Sequence, residues 1–324
     1  MRLVHDATPT SPSPGPLARL LLLLALLALL ALQACSTVKL AYSNADTLLY
    51  WRLDSYVDIT AEQAPRVREG LAQFMTWHRR TQLPRYADEL QRLRPRLAGE
   101  IAPELACTLL EQLRAVVEPP LLEPANWPLL WLASDLSAEQ LKHIERKQKV
   151  TDTQWKADWL DGTPEQRRER RFDKMLERSE MLYGSLDEPQ RQVLREALLT
   201  QGAGFDAQRS FNERLRRQQD LRQQLRRIHD DKLPPEAAAA LLKSYLERAL
   251  RQPPDPTQQR YAQTLLREGC AVFARLHNAT TPAQRERAMR TLKGYEDDFR
   301  QLAGQPAAAN GGGASRASSA TSAP

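Results

Sequence analysis

The sequence predicts an all-α protein: a multi-helix array of helical hairpins, with a cleaved leader in front and a disordered tail behind. Three observations carry this. A helix-start signature recurs five times along the chain. Between these starts, apolar residues recur at helical spacing. The composition is rich in Leu, Ala, Arg, Glu and Gln with few β-branched runs, which favours helix throughout.

Residues 1–19 are polar and contain several prolines, with Arg2 and Arg19 basic. Leu20 to Leu32 is an unbroken run of leucine and alanine, 13 residues, the length of a signal-peptide apolar region. A spanning helix needs ~20 apolar residues, so the run is short for a permanent anchor. Leu32-Gln33-Ala34-Cys35 comes next. It resembles the lipobox of bacterial lipoproteins, with an aliphatic residue three before the cysteine and a small one immediately before it; Gln33 departs from the small residue commoner between them. The resemblance implies cleavage after Ala34 and lipidation of Cys35. Acyl chains there would hold the protein on a membrane, each buried CH₂ contributing ~0.8 kcal/mol. Ser36 matches the sorting rule that sends lipoproteins of enteric bacteria to the outer membrane, where Asp would favour retention at the inner one. The expectation is a lipid-anchored outer-membrane protein facing the periplasm, with the inner membrane as the alternative. An uncleaved anchor and an ordinary secretory leader are the other readings of the same residues.

The expected layout is a leader over 1–34, a helical domain over 35–302 and a disordered tail over 303–324. The helix starts are Thr60-Ala61-Glu62-Gln63, Ser137-Ala138-Glu139-Gln140, Thr163-Pro164-Glu165-Gln166, Asp187-Glu188-Pro189-Gln190 and Thr281-Pro282-Ala283-Gln284. Each has the form of a capping box. The first side chain accepts from an orphan backbone N–H, and the glutamine three places on reaches back to the cap residue. Ile59, Leu136 and Leu186 precede three of the caps, and Leu233 precedes the degenerate case Pro234-Pro235-Glu236. The spacing of 47 to 50 residues from 136 through 186 and 233 to 280 fits a loose repeat of helical hairpins, or chance recurrence of a common cap.

Between the caps, Ala64, Val67, Leu71, Phe74 and His78 form one expected apolar face. Leu105, Leu109, Leu113 and Val116 form another. Leu141, Ile144, Gln148, Thr151, Trp155 and Trp159 form a third, and Phe172, Met175, Ser179 and Leu182 a fourth. Pro119, Pro120, Pro124 and Pro128 read as an irregular connection, with a weak sub-boundary at 119–135. Gly202 and Gly204 separate two helices. After Leu302 the chain turns to Ala, Gly, Ser and Asn, which cannot bury a core.

The formal charge of +6 is mild for 324 residues. The most basic stretch, Arg214 to Arg227, has no aromatic stacking partners or known module, so nucleic acid is not an expected partner. Cys107 and Cys270 read either as a disulfide, plausible in an oxidising compartment, or as two separate buried thiols. If joined, they close a loop whose chain-entropy contribution is at most ~5 kcal/mol. His78, His143, His229 and His277 are far apart in sequence, and no His-Glu-x-x-His, phosphate loop, Gly-x-Ser-x-Gly elbow or dinucleotide fingerprint occurs. No metal, cofactor or catalytic set is expected.

Two segments go beyond generic helix. One is Ala41-Tyr42-Ser43-Asn44-Ala45-Asp46, running through Leu48-Leu49-Tyr50-Trp51 and Leu53-Asp54-Ser55-Tyr56-Val57-Asp58 to Gln63. The other is Trp77-His78-Arg79-Arg80 with Leu83-Pro84-Arg85-Tyr86. With the lipobox they resemble the uncharacterised proteobacterial lipoproteins of the DUF6279 family, specifically over residues 35–90. That resemblance implies an all-helical exported lipoprotein and supplies no activity. The Leu-Ser-Ala-Glu-Gln motif also resembles the Leu-Thr-x-x-Gln motif of the Spy and CpxP periplasmic stress proteins. Tyr42, Asp54, Asp58, Trp77, His78, Arg79 and Arg80 are the candidate functional surface, with Asp54 or Asp58 paired to Arg79 or Arg80 across a hairpin. The expected function is a non-enzymatic, membrane-tethered module for envelope maintenance or for binding an envelope protein or polymer. The alternatives are an enzyme with a dispersed site around His78, acting on a cell-envelope substrate, and a structural spacer.

Overall fold

In the computed structural model, residues 37–250 and 253–304 are described. The leader, Cys35 and nearly all of the tail lie outside them. No strand occurs among the described residues, and no described helix is long and apolar enough to cross a membrane.

Helix α1 (Thr37–Ser43) belongs to a unit of its own. From Asn44 onward the chain forms a second unit. Its helices are α2 (Ala45–Val57), α3 (Ala64–Thr81), α4 (Leu83–Leu93), α5 (Pro103–Leu121), α6 (Leu130–Ser134), α7 (Ala138–Trp159), α8 (Pro164–Tyr183), α9 (Glu188–Thr200), α10 (Ala207–Asp230), α11 (Pro235–Leu250), α12 (Pro256–Ala279) and α13 (Pro282–Gly304). Helix α5 runs through Pro119 and Pro120 to Leu121, so the irregular connection begins later than the prolines suggest. Helix α13 extends two residues into the expected tail.

Successive helix pairs alternate between two lobes. The first lobe packs α2, α3, α6, α7, α10 and α11 around Tyr50, Val67, Leu71, Leu132, Ile144 and Ile228. The second packs α4, α5, α8, α9, α12 and α13 around two clusters that share α12. One holds Phe172, Tyr183, Leu194 and Leu276; the other holds Leu93, Leu109, Cys270 and Ala274. Each lobe therefore draws its core from both sides of residues 119–135. All these core residues follow Ser43, so the unit from Asn44 carries its own core.

The predicted capping boxes form, and four of them lock together in pairs. At the start of α3, Thr60 N–H donates to Gln63 Oε1 and Gln63 N–H to Thr60 Oγ1. At the start of α7, Ser137 and Gln140 do the same. The two glutamines then meet: Gln140 Nε2 donates to Gln63 Oε1 at 2.7 Å, and Gln63 Nε2 returns a bond to Gln140 Oε1 at 3.4 Å. Each Nε2 also donates to a carbonyl two residues before the partner's cap, Asp135 O and Asp58 O. The second lobe repeats this between α9 and α13. Gln190 and Gln284 exchange bonds of 2.7 and 2.9 Å, and each reaches the equivalent carbonyl, Ala279 O and Ser185 O. Two acceptor and two donor positions are satisfied on every amide, so Gln63, Gln140 and Gln190 are buried without an unmet polar group. Leu136 and Leu186, just before two of these caps, are buried in the cores beneath.

The basic helix α10 is neutralised by its neighbours. Arg214 Nε donates to Asp152 Oδ1 of α7 at 2.7 Å, Gln218 shares that oxygen at 2.8 Å, and Arg226 reaches Glu145 at 3.2 Å. Arg222 binds Gln148, and Arg248 of α11 holds Asp220. In the second lobe, Cys107 of α5 is disulfide-bonded to Cys270 of α12. His277, fully buried, donates from Nε2 to Gly99 O at 2.8 Å. A carbonyl can only accept, so Nδ1 carries no proton and accepts from Tyr183 Oη at 2.8 Å.

Two outcomes follow. Replacing Gln140 or Gln190 with Ala strips a cap and takes one partner from the opposite amide and one from a part-buried carbonyl. Chemical denaturation should show a loss of about 2–4 kcal/mol. Gln166→Ala, in a solvent-facing box with no reciprocal glutamine bonded to it, should lose only about 0.5–1 kcal/mol; equal losses would mean that the pairing adds nothing. Burial also holds the imidazoles of His277 and His78 below their ordinary value. The unfolded chain then binds more protons, so their contribution is complete above pH ~6.5 and is lost as pH falls from there through the lowered folded values. Denaturation midpoints measured from about pH 7.5 down to 5 should fall, and a flat profile would contradict this assignment.

Candidate functional site

The predicted surface residues separate into distinct environments. Tyr42 lies half-buried on α1, in the other unit. Asp54 and Asp58 sit at the end of α2, where they shape the turn into α3. Asp54 Oδ1 accepts from Ile59 N–H at 2.9 Å. Asp58 takes the left-handed conformation (φ 60°, ψ 67°), which short polar side chains tolerate better than most, and presents its carbonyl to Gln140. Its carboxylate is exposed and lies 3.7 Å from His143 Nδ1. The expected pairs with Arg79 and Arg80 do not form. Those residues close α3, about 24 Å along its axis from its start at 1.5 Å per residue.

Trp77 and His78 belong to a different and more suggestive arrangement. Helices α3 and α4 meet at Gln82, and Pro84 in the first turn of α4 lacks the N–H that would continue the ladder. His78 and Tyr86, eight residues apart and about 12 Å along a straight helix, bring their ring centroids to 5.5 Å across this joint. Phe74 lies 5.6 Å from Trp77 and 5.8 Å from His78, and Phe299 of α13 lies 6.3 Å from Tyr86. These five half-buried rings form a continuous ledge. Arg79 turns inward and is buried, while Arg80 faces solvent. Burial keeps His78 neutral near pH 7 and pushes the Tyr86 hydroxyl up, with Arg85 opposing it.

The ledge stands on a braced base. Arg94 bonds the buried Glu296 at 2.7 Å, and Arg300 joins Glu296 to Asp88, at 3.3 and 2.9 Å. These bonds tie α4 to α13, two helices that pack along much of their length. Glu296, Arg94 and Phe299 were absent from the sequence-based surface. Glu296 and Phe299 reach the ledge from more than two hundred residues away, Arg94 comes from the turn after α4, and no local pattern signals that meeting.

Concavities lie elsewhere, and two differ sharply in character. An open apolar cavity of about 320 Å³ sits beside the disulfide, walled by Leu90, Leu93, Leu109, Leu113, Phe273 and Leu292, with no polar group to orient a ligand. A larger polar cleft of about 710 Å³ holds Arg114 and Arg217, which are answered by Glu118 and Glu213. Among the described residues, no cluster of three or more His, Cys, Asp or Glu side chains could hold a metal ion.

A model of a family of unknown function, DUF6279, matches residues 55–244, more than half of the chain. The match takes in Trp77, His78 and Tyr86 and the glutamines of three paired caps. The lipobox, residues 41–54 and Phe299 lie outside it. No curated protein and no solved structure matches the chain.

Trp77 should behave as a surface residue on a rigid support. Trp77→Ala is expected to cost about 1–2 kcal/mol, against about 2–5 for Met75→Ala on the buried face of the same helix. A loss at Trp77 equal to that at Met75, measured by denaturation, would make the ledge ordinary core.

Proposed function

As a member of the DUF6279 family, whose function is unknown, the chain has no inherited activity, and we propose that it is a lipid-anchored, periplasm-facing binding module without enzymatic activity. Cys35 carries the anchor, and the outer membrane is the favoured location. Support for export comes from two independent features. One is the apolar run ending in Leu32-Gln33-Ala34-Cys35. The other is the Cys107–Cys270 disulfide, a bond that persists in oxidising compartments and is rare in reducing ones.

The observation that carries the binding role is the ledge of Phe74, Trp77, His78, Tyr86 and Phe299. Half-buried aromatic rings, three of them (Trp77, His78 and Tyr86) with polar tips, held on an ion-paired base, suit a surface that exchanges water for a partner. The partner is an envelope protein or polymer. An orienting charge is available from the exposed Arg80 at the ledge's edge.

Cross-linking in intact cells followed by purification should recover one reproducible partner with the wild-type chain. Trp77→Ala with Tyr86→Ala should lose that partner while the chain remains folded and membrane-bound. Turnover of a wall or lipid substrate, abolished by His78→Ala, would replace this reading with an enzymatic one. The anchor is tested separately: Cys35→Ala should leave an unprocessed precursor, and normal maturation to a soluble form would remove the lipoprotein assignment.

A further inference from the structure

Helix α2 is two-faced in an unusual sense. Tyr50 and Val57 are buried in the first lobe's core, with Leu53 packed against it. The side away from the core carries polar Arg52 but also keeps large apolar residues exposed. Leu48 is 57% exposed and Trp51, one turn on, is 60% exposed, with Leu49 beside them at 39%. Large apolar side chains presented together on one short helix carry a cost in water that a purely solvated face would avoid.

Basic groups surround this apolar patch. Trp51 meets Tyr50 edge-on at 5.9 Å, and the Arg68 guanidinium lies 3.7 Å from the centre of the Tyr50 ring. One turn further along, Arg52 and Lys147 both approach the Tyr56 ring, at 4.9 and 5.8 Å. Three acids lie on the same helix and its cap: Asp46 accepts from Thr47 N–H, Asp54 from Ile59 N–H, and the exposed Asp58 carboxylate lies 3.7 Å from His143. Leucine and tryptophan bordered by arginine and lysine match the chemistry of a phospholipid headgroup layer. There an indole sits at the interface and cations meet phosphates.

Position points the same way. Leu48 follows Cys35 by 13 residues, seven of which form α1. With the helical part at 1.5 Å per residue and the rest extended, Leu48 lies at most about 30 Å from Cys35. We propose that the Leu48–Trp51 face of α2 rests on an anionic phospholipid surface, with Leu48 and Trp51 in the headgroup layer and Arg52, Arg68 and Lys147 facing the phosphates. The proposal rests on the lipid-anchor reading for its nearness to a bilayer, while its chemistry belongs to α2 itself. Acyl chains on a single flexible cysteine restrain distance but not orientation. A second contact on α2 fixes which side of the first lobe faces the membrane.

The test uses the chain beginning at Ser36, which lacks the lipid and retains the whole core described above, incubated with vesicles of phosphatidylethanolamine and phosphatidylglycerol. It should sediment with them, and high salt should weaken the binding. Leu48→Ser with Trp51→Ser should lower the partition coefficient by about tenfold or more, and Arg52→Glu should lower it without removing any apolar surface. Met181→Ser with Leu199→Ser, exposed apolar positions in the second lobe, should leave it unchanged. Thermal melting confirms that each variant is folded. Wild-type protein remaining in the supernatant overturns the proposal, as does equal binding by the α2 variants. The two readings fail separately. A non-binding Ser36 chain from a protein still processed at Cys35 sinks the α2 surface alone. Binding by that chain when Cys35→Ala matures normally sinks the anchor alone.

Discussion

The architecture depends on a side-chain amide that serves two helices at once. In a solitary capping box, glutamine closes its own helix start and leaves its Nε2 to solvent. Here the two Nε2 protons are directed at the opposite glutamine and the opposite loop. The start of α3 is thereby held to the start of α7, and that of α9 to that of α13. Each pair joins segments 77 or 94 residues apart. Removal of one glutamine therefore leaves groups on both helices unsatisfied in a site with little access to water.

Those two locks make sense of the alternating path. The chain enters the first lobe three times and the second three times, so no lobe consists of contiguous sequence. Hydrophobic burial alone is non-directional and would accept many pairings among helices of similar amphipathicity. The reciprocal amides accept very few, because four hydrogen bonds must be met together. The α7–α10 contact adds a second polar constraint: Asp152 receives both Arg214 and Gln218, which ties the most basic helix of the chain to α7 while Arg226 and Arg227 stay exposed. The disulfide then ties α5 to α12 in the second lobe.

This order also frames the two surfaces of interest. The ledge forms where the chain crosses from the first lobe to the second at Gln82 and Pro84, and its outermost ring arrives on the final helix. A surface assembled from α3, α4 and α13 is rigid because three separately anchored elements carry it. The face of α2 instead lies at the start of the unit, close in sequence to Cys35, and is built from a single helix. The two surfaces use different chemistry: contiguous rings over an ion-paired base in one, and leucine and tryptophan beside Arg52, Arg68 and Lys147 in the other.

The sequence by itself determined the helices and their starts. Capping is a local interaction spanning four residues, so Thr60, Ser137, Thr163, Asp187 and Thr281 could be read directly, as could helical periodicity around Val67, Leu71, Ile144 and Phe172. Periodicity is less informative about the width of a buried face. On α3 the core side is Val67, Leu71 and Met75, ending at Arg79, and the expected face through Phe74 and His78 lies at its edge. Only the tertiary structure decided which caps pair, that Asp58 serves through its backbone, and that Phe299 completes the ring cluster begun by Phe74 and Trp77. A glutamine that closes its own helix and one that closes two are identical in sequence, because the second set of bonds depends on where another segment, some eighty residues away, comes to rest.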